Sequence, residues 1–324
     1  MPEKKTFCLL ALPVFFLVGC GNPVVVTQKE EFRLKNGLQI VLHSLASAKE
    51  VGLTVLYDVG EAHDPPSAPG LGNLIDHLYM TSASDRSPVR TIESLDAGYP
   101  SGWKAHTGWD HSVFALTFPR DQLKLEIQDA ADRMGALKVE QADLEREVAR
   151  LKAGLQERTA GVSELASLNR AVEAVLPERN RRTEDPDAVG LETVRTRLKQ
   201  LYTPNNAVLV LAGAFDTARA RKFIEQAFGG IAPGQAVDKV PMGWRGEAPV
   251  KPVRETAADG ETHVTLALAA PWPGDPLYPA FIVLTTRIHN RLNEAYIRLS
   301  YPLLGQPEAV TIPLAFSPGV DPQP

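Results

Sequence analysis

The chain has 324 residues, 44% of them hydrophobic and 23% charged, with a formal net charge of −5. That length can bury one full core and part of a second. The mixed, mildly acidic charge pattern excludes a nucleic-acid role, which needs a basic face. The two cysteines, Cys8 and Cys20, exclude a disulfide framework or a thiolate metal centre.

In chain order, Lys4 and Lys5 form a small basic start, and Phe7 to Val18 is an apolar run. The run is too short for a bilayer span of roughly 20 residues. It ends in Leu17-Val18-Gly19-Cys20, which resembles a bacterial lipobox. Residues 1–19 are expected to be a lipoprotein signal peptide, with Cys20 lipidated and residues 20–29 a tether. Cleavage would remove Cys8 and occupy Cys20. Gly21 in place of Asp resembles the outer-membrane sorting signal of enteric-type bacteria, which implies an anchor in the outer membrane, facing the periplasm. The leader carries Glu3, Lys4 and Lys5, so the remainder is one unit more negative.

Glu31–Leu34 and Leu38–Leu42 alternate around Asn36-Gly37, a hairpin turn signal. Val51–Tyr57 is a third strand. A Pro-, Ser- and Asp-rich loop leads to a helix around 71–82, then a short one near Thr91–Ala97. Trp103–Thr107 and Ser112–Pro119 form a second hairpin. Helices are expected over Arg120–Gly135, Ala142–Ala174 and 188–201. Ala207–Ala212 is a buried strand, and Asp216–Phe228 is the helix after it. The fold class is α+β: an antiparallel-rich mixed sheet layered against helices over residues 30–232. Residues 233–260 read as a Gly- and Pro-rich linker. Residues 261–324 read as a partial second domain: a strand at His263–Ala269, a helix over Asp275–Leu299 and a Pro-rich tail.

The informative stretch is Asn73-Leu74-Ile75-Asp76-His77. A His-x-x-Glu-His helix puts two imidazoles on one face at i and i+4, with a carboxylate beside them. Here Asn73 holds the first imidazole position, the acid is the shorter Asp76, and only His77 remains. The same residues also fit a helix start, with Asn73 as N-cap and Asp76 as its partner at N3. His77 would then be a partly buried structural histidine.

Five stretches resemble the M16 peptidases, the insulinase, pitrilysin and mitochondrial processing peptidase family. They are Leu34–Val41, Val55–Glu61, Gly70–Leu78, Tyr202–Val210 and Asp275 through Arg298. The resemblance implies a complete first family domain over about residues 30–230 and a fragment of the second. It also implies a zinc site with a third ligand, a Glu on a later long helix, and another Glu two turns before it. The family spacing from His77 lands on Gly154, and two turns earlier stands Glu147. A catalytic zinc needs three protein ligands and an open position. The family positions Asn73, Asp76, His77, Glu147 and Gly154 offer one ligand, His77, and Asp76 is one methylene short. A displacement of about 1 Å can cost on the order of 100-fold in rate.

No catalytic residue and no cofactor is therefore expected. The resemblance implies a pseudo-peptidase that partners an active M16 subunit, forms a homo-oligomer, or binds peptide or protein. The alternative is a zinc endopeptidase with a relocated site that recruits His106 and His111. A third reading is peptide binding by strand addition to the sheet edge near 103–119. Family members also read substrate with an Arg and a Tyr of the second domain. Arg298 fits the Arg, while Tyr301 is too close for the Tyr and Gly305 stands near its place.

Overall fold

The computed structural model describes residues 27–159, 171, 186–239, 253–256, 262–271, 274–291 and 308–316. The first hairpin forms as expected. Strand β1 (Thr27–Arg33) and β2 (Gln39–Leu45) pair antiparallel. Gly37 has φ 96°, a left-handed turn conformation that glycine adopts without penalty. Strands β3 (Glu50–Tyr57), β4 (Trp103–Thr107), β5 (Ser112–Pro119) and β6 (Ala207–Gly213) complete a six-stranded sheet. The order is β1-β2-β6-β3-β5-β4, parallel only between β2 and β6.

Along β3, Val51, Leu53, Val55 and Tyr57 are buried and alternate with half-exposed residues. The register sets Val55 beside Phe114 and Leu209, so one sheet face is apolar throughout. The helices cover it: α1 (Leu71–Thr81), α2 (Ile92–Gly98), α3 (Leu123–Gly135), α4 (Gln141–Thr159), α5 (Leu191–Leu201) and α6 (Thr217–Phe228). Leu74, Ile75 and Leu78 of α1, Ile127 of α3, Val194 of α5 and Ile224 of α6 join one cluster at 0% exposure. Each such side chain contributes about 1.5–3 kcal/mol through burial.

Helix α1 starts differently from the reading that makes Asn73 its N-cap. The cap position is Gly70, and Asn73 lies inside the helix. Asp64, from the preceding loop, accepts the Gly72 N–H at 3.1 Å with Oδ1 and 3.2 Å with Oδ2. A carboxylate brought in by the loop does the work a local cap would do. That loop is itself pinned to the β4–β5 turn. Glu61 N donates to Gly108 O at 2.9 Å and Ala62 N to Trp109 O at 2.8 Å. A Cβ on Gly60 would stand 2.5 Å from Gly108 O and His111 N, so this approach requires glycine.

A second, three-stranded sheet has the order β7-β8-β9, with β7 (Val253–Thr256), β8 (Thr262–Ala270) and β9 (Glu308–Phe316). Helix α7 (Tyr278–Arg291) follows β8. Val253–Thr256 is a strand rather than linker, and Glu308–Phe316 is a strand rather than tail. Composition hid both: β7 is short and charged, and β9 contains Pro313, which an edge strand tolerates. The remainder of the long helix expected over 142–174, apart from residue 171, and that of the helix expected over 275–299 lie outside the described residues. Among the described residues, no helix is long and apolar enough to cross a membrane.

Candidate functional site

Helix α1 is buried on every side except at Asn73 and His77. These two stand one turn apart on one face. They front a cleft of about 270 Å³. Glu61, Asn73, Asp76 and His77 line it, as do Trp103, Ala105, His106 and Thr107 of β4, together with Met80 and Ile92. The degenerate motif therefore occupies one end of the sheet, beside the edge strand.

His77 and Glu147 meet across α1 and α4. His77 Nδ1 lies 3.5 Å from Glu147 Oε2, an ion-pair distance at the outer limit of a hydrogen bond. Oε2 is buried with no hydrogen-bond partner. The other oxygen, Oε1, accepts from the Thr81 hydroxyl at 3.1 Å and from Arg146 Nε at 3.2 Å. Burial pushes the Glu147 carboxyl up, but His77, Arg146 and Thr81 outweigh it and hold it below its ordinary value. With Nδ1 facing this carboxylate, Nε2 is the ring nitrogen left to face the cleft. That is how a carboxylate behind a metal-bound histidine is arranged.

Asp76 is engaged elsewhere. It is 4% exposed, and its Oδ1 accepts the Thr107 hydroxyl at 2.6 Å. The Thr107 backbone N–H reaches it as well. Thr107 continues to Ser112 at 2.8 Å, and Ser112 to the Tyr202 hydroxyl at 3.1 Å. Burial raises the Asp76 carboxyl to about 8. The Thr107 hydrogen bonds oppose that rise, and the charges of Glu61 and Asp64 add to it. At neutral pH this favours the protonated form of Asp76.

Gly154 is half-buried on α4, and a Cβ there would meet no atom within 4 Å. The position two turns beyond Glu147 therefore opens onto space and supplies no ligand. Leu144 and Leu151 carry the apolar stripe of this helix, as the periodicity predicts, and Glu147 is buried beside it.

His106 borders the same cleft as His77, whereas His111 does not line it. In the β4–β5 register His106 pairs with Val113, while Thr107 pairs with Ser112. Alternation then sets the His106 side chain opposite that of Thr107, at the rim of the cleft. It is exposed. His111 is buried, with Nδ1 2.7 Å from Asp110 Oδ1. A hydrogen bond from His111 holds the Asp110 carboxyl below its ordinary range. Among the described residues, no group of three or more His, Cys, Asp or Glu side chains is placed to hold a metal ion. Arg298 and Cys20 lie outside the described residues.

Sequence reasoning missed Thr107 and Asp64. The one signal for Thr107 was the pair of hydroxyls, Thr107 and Ser112, at the turn end of the hairpin. Asp64 sits in a loop whose composition only says "turn".

Residues 39–183 match the family model described as "Insulinase (Peptidase family M16)". Residues 188–298 match the model described as "Peptidase M16 inactive domain". The chain belongs to peptidase family M16. A stretch of 89 residues is 25% identical to an "Uncharacterized zinc protease" of Rickettsia bellii, covering 26% of this chain and 21% of that protein. The fold is that of a protease from Helicobacter pylori, with 16% identity and a TM-score of 0.68 over 91% of this chain and 76% of that one. It is also that of the ferredoxin protease FusC, solved with Arabidopsis ferredoxin, with 15% identity and a TM-score of 0.66 over 90% of this chain. This M16 chain covers 35% of the FusC chain.

The described residues at the M16 positions do not fit the zinc that the family name implies. His77 is the one imidazole at those positions, the acid beside it is tied to Thr107, and the third position has no side chain.

Proposed function

We propose that this M16 chain is a catalytically inactive envelope lipoprotein that binds an extended peptide or protein segment as a partner or scaffold subunit. The observation that carries the reading is the paired loss at Asn73 and Gly154 around a retained His77–Glu147 contact. Both helices that would build a water-activating centre have lost a ligand, while the packing that supports the site persists. The lipobox-like Leu17-Val18-Gly19-Cys20 supports anchoring through Cys20.

The edge strand supports peptide binding. Thr117 N donates to Gly102 O and Gly108 N to His111 O, which fixes the ladder phase. The even residues of β4 then bond β5, and the backbones of Trp103 and Ala105 turn toward the cleft edge. No further strand pairs there among the described residues. An extended segment can add to that edge.

The test has two parts. Elemental analysis of the dialysed mature protein is expected to find far less than one zinc per chain. Stoichiometric zinc that disappears in His77→Ala would sink the inactive reading. Ala105→Pro removes an edge-facing N–H without touching the β5 ladder. It is expected to abolish capture of extended peptides by the purified chain while the thermal midpoint stays within a few degrees. Undiminished peptide capture would remove the edge strand from the proposal.

A further inference from the structure

At the opposite end of the sheet, three cations converge on a groove of about 530 Å³ between α3 and α6. They are Arg120, Lys124 and Arg219, all exposed. None makes an ion pair with another described residue. Lys124 and Arg219 instead lie over the Phe223 ring, at 5.8 and 5.3 Å from its centre. Leu125, next to Lys124 in the chain and outside the groove lining, is 60% exposed. Asp121 and Asp216 also line the groove. Asp216, though, caps α6 by accepting the Arg219 N–H at 2.7 Å.

The described chain starts at this groove. Thr27 pairs with Leu45, and the next residue, Ala46, lines the groove. Gln28 Oε1 accepts from Thr217 at the start of α6 at 3.5 Å. From Cys20 to Thr27 the backbone can reach at most about 25 Å. A lipid on Cys20 therefore confines this end of the molecule to the neighbourhood of the bilayer.

We infer that the Arg120–Lys124–Arg219 groove seats on a membrane surface rich in anionic phospholipid, with Leu125 as an apolar contact. The inference rests on the anchoring reading above. Charge complementarity commits the groove to headgroup phosphates, and three exposed cations beside a leucine suit a lipid surface better than a discrete anion. The orientation has a consequence. Strand β3 runs from Glu50, which accepts Ala214 N at the groove, to Tyr57 at the cleft end. Its length, about 25 Å, holds the candidate peptide cleft away from the bilayer and open to the periplasm.

The test uses unacylated chain 20–324 carrying Cys20→Ser. It is sedimented with vesicles of phosphatidylcholine alone, or of phosphatidylcholine with phosphatidylglycerol. Binding is expected only to the anionic vesicles. It is expected to vanish in about 0.5 M sodium chloride, where the screening length falls to about 4 Å. Replacing Arg120, Lys124 and Arg219 by Ala should weaken binding about fivefold per cation, on the order of 100-fold in all. Asp121→Asn should strengthen it. A triple variant that binds within about twofold of the parent overturns the inference. So does displacement by inorganic phosphate beyond that by chloride at equal ionic strength, since that marks a discrete anion site. The mass of the N-terminal peptide from cells reports acylation of Cys20 separately. A missing acyl group defeats the anchor and leaves the vesicle result standing, whereas an unaffected triple variant defeats the groove alone.

Discussion

Combining Asn73→His with Gly154→Glu is expected to convert this protein into one that retains about one zinc ion per chain through dialysis and releases it to a chelator. Three observations support this outcome. Asn73 and His77 are the two half-buried positions on α1, one turn apart, so two imidazoles there face the same cleft. Gly154 sits two turns beyond Glu147, and the space over it is clear to 4 Å. Replacing a helical glycine also recovers about 0.5–1 kcal/mol of helix stability. Glu147 already stands 3.5 Å behind His77 Nδ1 and would orient that ring for a metal on Nε2. Either substitution alone leaves two ligands and should retain little zinc. The double variant should still leave a fluorogenic peptide uncut, because Asp76 remains bound to Thr107 and one methylene short. Elemental analysis after dialysis reads the first claim. A double variant that stays folded by circular dichroism but holds no zinc would show that α1 and α4 no longer present the family geometry.

Asp76 should make the protein less stable as pH rises. The folded carboxyl titrates at about 8 because burial, above all, disfavours its charge, while an unfolded Asp titrates near 4. Between these values the folded chain holds a proton that the unfolded chain has lost. Folding is therefore unopposed by this group below about pH 4, and the penalty is complete above about pH 8. Within the window the slope from one such group approaches about 1.4 kcal/mol per pH unit. Asp76→Asn keeps an oxygen for the Thr107 hydroxyl and cannot ionise. Urea denaturation at several pH values across the window should give parent and variant curves that diverge steadily, the variant gaining toward alkaline pH. Parallel curves would show that Asp76 is solvated rather than buried. Thr107→Val should deepen the effect, since it removes the hydroxyl donor that opposes the rise and costs about 1–3 kcal/mol for the acceptor left bare.

Much of the first domain was legible because its signals are local. Alternation in Leu38–Leu42 and Val51–Tyr57 sets one face inward, and Asn36-Gly37 requires the turn. The β4 and β5 limits follow from residues next to one another in the chain. The second sheet was less legible: the charges of β7 and Pro313 of β9 resemble loop chemistry until pairing with β8 explains them. The candidate site divided in the same way. Loss of ligands at Asn73 and Gly154 is a matter of residue identity at a spacing, and needs no coordinates. The fate of Asp76 does need them.

The sequence by itself determined the family, the sheet's inward faces and the absence of side-chain ligands at two of three metal positions. These depend on chain-neighbour periodicity and on which atoms a residue owns. Only the tertiary structure decided what the remaining groups do. Asp64 reaches back to cap α1, Thr107 captures Asp76 from 31 residues away, and Glu147 is buried against His77. Strand alternation sets His106 opposite Thr107 at the rim of the cleft, and packing of α3 on α6 gathers Arg120, Lys124 and Arg219 into one groove. Each of these depends on contacts between distant segments, which are set by how the whole core closes rather than by any local preference.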